Sequence, residues 1–185
     1  MGNRQGDHIM TLTLAPLTAE YAEQIRQWRN ENLAPWRTPF YLTEEMQRDW
    51  YERVICDRNS NRRSWAVLEA GEFVAHASLV GIQWENRTAE IALNVRPDLR
   101  GQGLGAQVVE LILEQAFDYL GLETVYGECY ASNPAIDFWQ RMADRYNAYT
   151  TVLPKRKYWA GEFWPSLWFS FNRADWQELK VEVEA

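Results

Sequence analysis

The sequence predicts an α+β fold: a mixed, mostly antiparallel sheet of about six to seven strands flanked by about four helices. Three observations predict it. Between residues 65 and 95 lie three strand-like segments joined by short turns, which is the pattern of an antiparallel meander. A long helical repeat from Leu104 is followed by another strand-like run at 124–131, so the chain makes one strand, helix and strand crossover. With 185 residues, 46% of them hydrophobic, there is material for one core rather than two.

Residues 1–10 (MGNRQGDHIM) show no periodicity and read as a leader or a disordered segment, leaving 11–185 as a single domain. After Thr18, an N-cap, Tyr21, Ile25 and Trp28 recur at helical spacing and predict a helix over 19–30. Pro35 and Pro39 bracket a loop carrying Trp36, Arg37 and Phe40, and Thr43 then caps a second stripe of Met46, Trp50 and Val54. Strands at 65–69 and 73–80 form a hairpin around Gly71. Asn86 and Arg87 turn the chain into a strand over 88–95, where Ile91, Leu93 and Val95 alternate with Glu90, Ala92 and Asn94.

From Leu104, the apolar positions Val108, Ile112, Ala116 and Leu120 repeat every fourth residue until Gly121 ends the longest helix. After the strand at 124–131, Asn133 and Pro134 open a helix with Ile136, Phe138 and Trp139. The tail from 157 to 176 is aromatic-rich, with a last strand at 167–172, and Lys155, Arg156 and Lys157 read as a solvated turn.

Composition excludes several functions. Lys plus Arg number 19 against 26 Asp plus Glu, a net charge of −7, so no positive field is available to hold a nucleic acid. No run reaches the roughly 18 apolar residues that span a bilayer, and no signal-peptide core opens the chain, which points to the cytosol. Cys56 and Cys129 with His8 and His76 do not make a zinc spacing, so no metal is expected. Ten tryptophans exceed what a core normally uses, and some should line a concave site or an interface.

The chemistry is concentrated in Arg100-Gly101-Gln102-Gly103-Leu104-Gly105, between the strand ending at Val95 and the long helix. Alternate glycines let a ligand approach the backbone, and the helix start offers unpaired N–H groups and the positive dipole end, so the expected guest is a phosphate. Arg100 stands at its edge for a bidentate contact to the same anion. Gly101, Gly103 and Ala106 also satisfy a dinucleotide fingerprint. Antiparallel strands precede it, however, and five residues separate Val95 from Gly101, which is the wrong context for a nicotinamide cofactor.

At these residues the chain resembles the GNAT superfamily of acyl-CoA-dependent N-acyltransferases. Arg100 to Gly105 matches the family's Arg/Gln-x-x-Gly-x-Gly/Ala pattern, and Glu90 to Val95 takes the place of its fourth strand. Glu128-Cys129-Tyr130-Ala131-Ser132-Asn133 looks like the fifth strand and the Asn that opens the next helix. The first part, residues 25–33 and the loop beyond, is similar to the branch of ribosomal-protein N-terminal and sugar-nucleotide amine acetyltransferases. The resemblance implies acetyl-CoA as cosubstrate, its diphosphate held by backbone N–H groups of Arg100, Gly101, Gln102, Gly103, Leu104, Gly105 and Ala106. It also implies that Leu93, Asn94 and Val95 pair with the pantetheine arm where the fourth and fifth strands splay, bordered by Asn133, Ala135 and Phe138.

An amine acceptor with a pKa of about 10.4 needs a base near neutral pH. His76 lies mid-strand, so Glu128 and Glu90 are the candidates. Glu128 is favoured because its position before Asn133 resembles that of the base in the ribosomal-protein branch. Either glutamate would otherwise face solvent or pair with an arginine such as Arg87. An N–H of Asn94 or Val95 would hold the oxyanion. Many members supply a tyrosine on the following helix to protonate the thiolate, whereas here Trp139 stands in that stretch and Tyr130 is the substitute.

Trp36, Arg37 and Phe40 are expected on the acceptor side, where a guanidinium can recognise a phosphate or carboxylate, while Trp28 completes a core stripe. Tyr158, Trp159, Phe163 and Trp164 suit a cleft cover, a dimer contact or core packing. The leading function is acetyl transfer to a primary amine of a small molecule, a sugar nucleotide or a protein N-terminus, by a monomer or homodimer. A non-catalytic acyl-CoA-binding module and a dinucleotide-dependent oxidoreductase are the alternatives.

Overall fold

A computed structural model describes residues 12–184, so the leader at 1–10 and the two outermost positions of the domain lie outside the described residues. Strand β1 (Leu12–Pro16) leads into helix α1 (Ala19–Asn30), where Thr18 Oγ1 accepts from the Tyr21 amide at 3.3 Å. Ala22, Ile25 and Trp28 are its buried stripe, and Trp28 stacks on Phe73 at 4.9 Å. Helix α2 (Glu44–Trp50) starts under the Thr43 cap but turns a different face inward than its apolar stripe predicts. Met46 is 49% exposed, and Gln47 is buried instead, its Nε2 donating to Ala22 O at 2.7 Å. Gln47 takes the inward place because it completes a buried hydrogen bond that methionine cannot make.

Strands β2 (Arg63–Glu69) and β3 (Glu72–Gln83) form the expected hairpin, turned by Ala70 and Gly71 at φ +49° and +85°. Strand β4 (Thr88–Val95) completes the meander, and helix α3 (Leu104–Glu114) continues through a π-helical turn, Gln115–Tyr119. That turn keeps Ala116 and Phe117 buried. Strand β5 (Thr124–Tyr130) and helix α4 (Ile136–Arg145) follow.

The tail differs from its sequence reading. Strands β6 (Tyr149–Trp159) and β7 (Glu162–Asn172) form a long hairpin, and helix α5 (Arg173–Glu184) closes the described chain. Lys155, Arg156 and Lys157 lie within β6 rather than in a turn, at a register shift between Leu153 and Lys157 where Lys155 takes φ +52°. β6 is the sheet's edge strand and is mostly exposed, so it carries no apolar alternation to read.

Among the described residues, seven strands run in the order β1-β2-β3-β4-β5-β7-β6, and β4 with β5 is the one parallel pair. One face packs on α3, α4 and α5 through Val108, Ile112, Phe117, Phe169 and Trp176; the other meets α1 and α2 through Ile25, Trp28, Ala66 and Phe73. Among the described residues, no helix is long and apolar enough to cross a membrane.

Candidate active site

The sheet opens at its centre. β4 pairs with β5 only from Thr88↔Thr124 to Glu90↔Tyr126, yet it stays paired with β3 as far as Ala75↔Val95. From Ile91 to Val95 its other edge therefore has no strand beside it, leaving backbone groups to be paired by a ligand. A cavity of about 570 Å³ fills this opening. Leu93 to Val95, the loop glycines 101, 103 and 105, and Asn133, Ala135 and Phe138 line it, together with Arg100, Ala106 and Trp36.

Gly101 and Gly103 take φ +78° and +85°, a region costly for residues with a Cβ, and Gly103 directly precedes α3. The Arg100 amide donates to Pro97 O and the Ala106 amide to Gly103 O. The N–H groups from Gly101 to Gly105 have no protein acceptor among the described residues, so the available row is shorter than the sequence suggests. Gly105 is held close to α4: a Cβ there would lie 3.2 Å from the Phe138 ring. Gln102 and Leu104 do not line the cavity. The Gln102 side chain donates to Asp98 O at 2.9 Å, and Leu104 is core.

Arg100 is folded onto the end of β4, with Nε 3.1 Å from Val95 O and Nη2 3.4 Å from Asn94 Oδ1, rather than reaching outward for an anion. Its length and the sharp turn at Gly101 favour these near carbonyl acceptors. Asn94 is 7% exposed, and its Nδ2 has no hydrogen-bond partner among the described residues. An enclosed amide donor without an acceptor is costly.

On the α1/α2 face, alternation brings Glu90, Tyr126, Glu128 and Tyr130 to one side of the sheet. Arg37, from the loop after α1, reaches across them: Nη2 is 2.8 Å from Glu90 Oε1 and 3.9 Å from Glu128 Oε2, and Nε donates to Tyr130 Oη at 3.2 Å. Burial works against the Arg37 charge, but Tyr130 and Glu90 outweigh it and raise its pKa. Arg87, the example of an arginine that either glutamate could meet, instead pairs with Glu123 at 2.8 Å and bonds Gly121 O.

Glu128 is saturated. Arg156 Nε and Ser166 Oγ each donate to its Oε1 at 2.7 Å, and Arg156 Nη2 approaches Oε2 at 3.3 Å. Burial alone would raise its pKa, but these bonds and the Arg156 and Arg37 charges hold it below the ordinary value. Among the described residues, Glu90 has only the Arg37 bond, on Oε1.

Sequence reading missed Arg156, Ser166 and Lys157, which meet the site only through the β6–β7 hairpin. Lys157 is buried, bonds Ala34 O and lies 5.3 Å over the Tyr130 ring, while Ser132 Oγ donates to the same Ala34 carbonyl at 3.2 Å. The loop carrying Arg37 is thus fastened to the sheet. Trp36 lines the cavity under the Arg29 guanidinium, 5.1 Å from its ring. Arg37 and Phe40 do not line it; Arg37 joins the glutamates, and Phe40 is 48% exposed. Tyr158 and Phe163 are exposed rather than core, and Trp139 stacks on Phe169 at 4.8 Å.

Burial pushes the Cys129 thiol up to about 12, so it is no nucleophile near neutral pH. Among the described residues, no three His, Cys, Asp or Glu side chains gather as a metal site needs.

The model of the acetyltransferase (GNAT) domain family matches residues 11–137. No curated protein sequence matches the chain. Among solved structures, the fold is similar to spermidine N-acetyltransferase from Vibrio cholerae in complex with CoA and spermine. The two share 17% identity and a TM-score of 0.80 over 90% of this chain and 98% of that one. A dodecameric structure of the Vibrio cholerae enzyme in an intermediate state gives 18% identity and a TM-score of 0.75, over 89% of this chain and 95% of that one.

Proposed function

The chain belongs to the GNAT acetyltransferase family, and on that premise we propose that it moves the acetyl group of acetyl-CoA directly onto a primary amine, with a glutamate taking the amine's proton. The observation that carries this reading is the row of uncommitted amides from Gly101 to Gly105, whose Gly101, Gly103 and Gly105 line the same cavity as the unpaired stretch of β4. Five N–H groups at a helix start suit a diphosphate, and an exposed strand edge suits an extended amide-bearing arm. Acetyl-CoA, when bound, supplies the thioester.

The chain's own residues do the rest. Backbone groups of Leu93 to Val95 align the arm. The amine enters from the α1/α2 face, where Glu90 keeps one carboxylate oxygen without a protein donor among the described residues and accepts the proton there. Glu128, with both oxygens bonded, is a weaker base and holds Arg156 and Arg37 in place. Tyr130 accepts from Arg37 through its oxygen, leaving its own proton for the departing thiolate. A small molecule, a sugar nucleotide or a protein N-terminus are the acceptor types considered, with a monomer or homodimer in the cytosol as the acting form.

The test is release of free CoA from acetyl-CoA across a panel of amines, alongside calorimetry with CoA and with NAD. Amine-dependent release supports the reading. CoA binding without release by any amine would identify a binding module, and a preference for NAD would overturn the cosubstrate.

A further inference from the structure

A second guanidinium group faces the same side of the sheet as Glu90. Arg62 lies over the Trp50 ring at 5.9 Å, with Nη1 3.4 Å from Ser78 Oγ. Ser78 is fully buried and joins Ser64 Oγ at 2.7 Å and His76 Nε2 at 2.9 Å, so Arg62 caps a polar chain set into the floor formed by β2 and β3. No carboxylate of a described residue comes within ion-pairing distance of it; Glu90 is the one whose charge reaches it. Burial holds the Arg62 pKa below its ordinary value. A half-buried guanidinium without a counterion is costly, and its planar fork is matched by phosphate or carboxylate oxygens.

Beside Arg62 is a cavity of about 330 Å³, lined also by Arg58, Arg63 and Ser64, with Asp57 the one carboxylate on its wall. Asp57 Oδ1 is turned to the Asn59 amide at 2.9 Å. Arg37 and Arg156 are paired with Glu90 and Glu128 at 2.8 and 2.7 Å, so they leave the Arg62 charge unmatched. A polycation entering this cavity would meet the Arg58, Arg62 and Arg63 guanidinium groups, whereas an amine carrying an anion would have its anion matched there and its ammonium matched by Glu90.

We propose that the cavity beside Arg62 is a binding site for an anionic group, phosphate or carboxylate, borne by the acceptor, with Arg62 and Arg58 receiving the anion while Glu90 faces the amine. The acceptor class is then an amine with an acidic substituent, not a polyamine. The anion site stands on the geometry of Arg62 alone; its assignment to the acceptor rests on the acyl-transfer reading above.

Two measurements on the full chain test it. Inorganic phosphate is titrated while the arginine Nε–Hε signals are followed by NMR. The Arg62 signal should shift saturably in wild type, and the exposed-residue variant Arg58→Gln should weaken the response. Independently, CoA release is compared for propylamine, aminopropyl phosphate and spermidine. The phosphate-bearing amine should be preferred by at least about tenfold in kcat/KM, a preference that Arg62→Gln and Arg58→Gln reduce and that free phosphate competes away.

An Arg62 signal that ignores phosphate overturns the site. A shift without competition against the amine, or a preference for spermidine, overturns its assignment to the acceptor. A retained shift with no turnover of any amine supports the anion site and counts against acyl transfer instead.

Discussion

Arg37 Nη2 and Glu90 Oε1 stand 2.8 Å apart, although 53 residues separate them along the chain. The pair bridges the loop after α1 to the last β4 residue that still has a β5 partner, and the neighbouring Glu128 lies on the same guanidinium. The two glutamates therefore respond differently to neutralisation. Glu90→Gln should lower kcat at least about tenfold near neutral pH, through loss of the proton acceptor. Glu128→Gln should act mainly on KM, because it releases Arg156 and Arg37. Steady-state kinetics of both variants decide it, and the reverse pattern would make Glu128 the base.

Gly103 precedes α3 at φ +85°, with open space where a Cβ would project. Gly103→Ala thus adds backbone strain of about 1–2 kcal/mol without a clash. The loop should relax away from the geometry that aims its amides, weakening CoA binding by about tenfold. Calorimetry with CoA reads this directly; an unchanged Kd would mean that these amides do not hold the ligand.

His76 is buried, and desolvation together with the Arg62 charge pushes its pKa down to about 3 from an ordinary 6.5. It should remain neutral in the folded protein across the physiological range, so its ring signals should not titrate by NMR. The unfolded chain takes up that proton below 6.5 while the folded chain does not, so this residue makes stability fall as pH is lowered towards 3. His76→Gln should lose less stability than wild type between about pH 7 and about pH 5, measured by urea midpoints. Equal losses would show that His76 does not carry the acid sensitivity.

Gly127 sits in β5 beneath Phe169, where a Cβ would lie 2.4 Å from the ring's Cζ and 3.1 Å from Ile91 Cγ2. Phe169 is 1% exposed, stacked on Trp139 and edge-on to Phe171, so it cannot move aside freely. Gly127→Ala should cost about 1–3 kcal/mol through overpacking. A urea midpoint equal to that of wild type would contradict the packing described.

The meander, the long helix and the glycine-rich turn between β4 and α3 are legible in the amino-acid order. Each is encoded locally: alternation in β4 follows from the strand period, Gly101 and Gly103 from the φ they adopt, and the buried stripe of α3 from its helical repeat. The family resemblance, rather than the local code, pointed to Leu93 to Val95, Asn133, Ala135 and Phe138, and these line the cavity. Which charges meet follows from how the chain folds back on itself. Arg37 is expected on the acceptor side and Arg156 in a solvated turn, yet nothing local says that Arg37 bridges two glutamates, that Arg156 saturates Glu128 or that Arg62 has no carboxylate partner among the described residues. An ion pair's energy depends on distance in space and on the water removed around it, and both are set by the loop and hairpin that bring distant segments onto one face of the sheet.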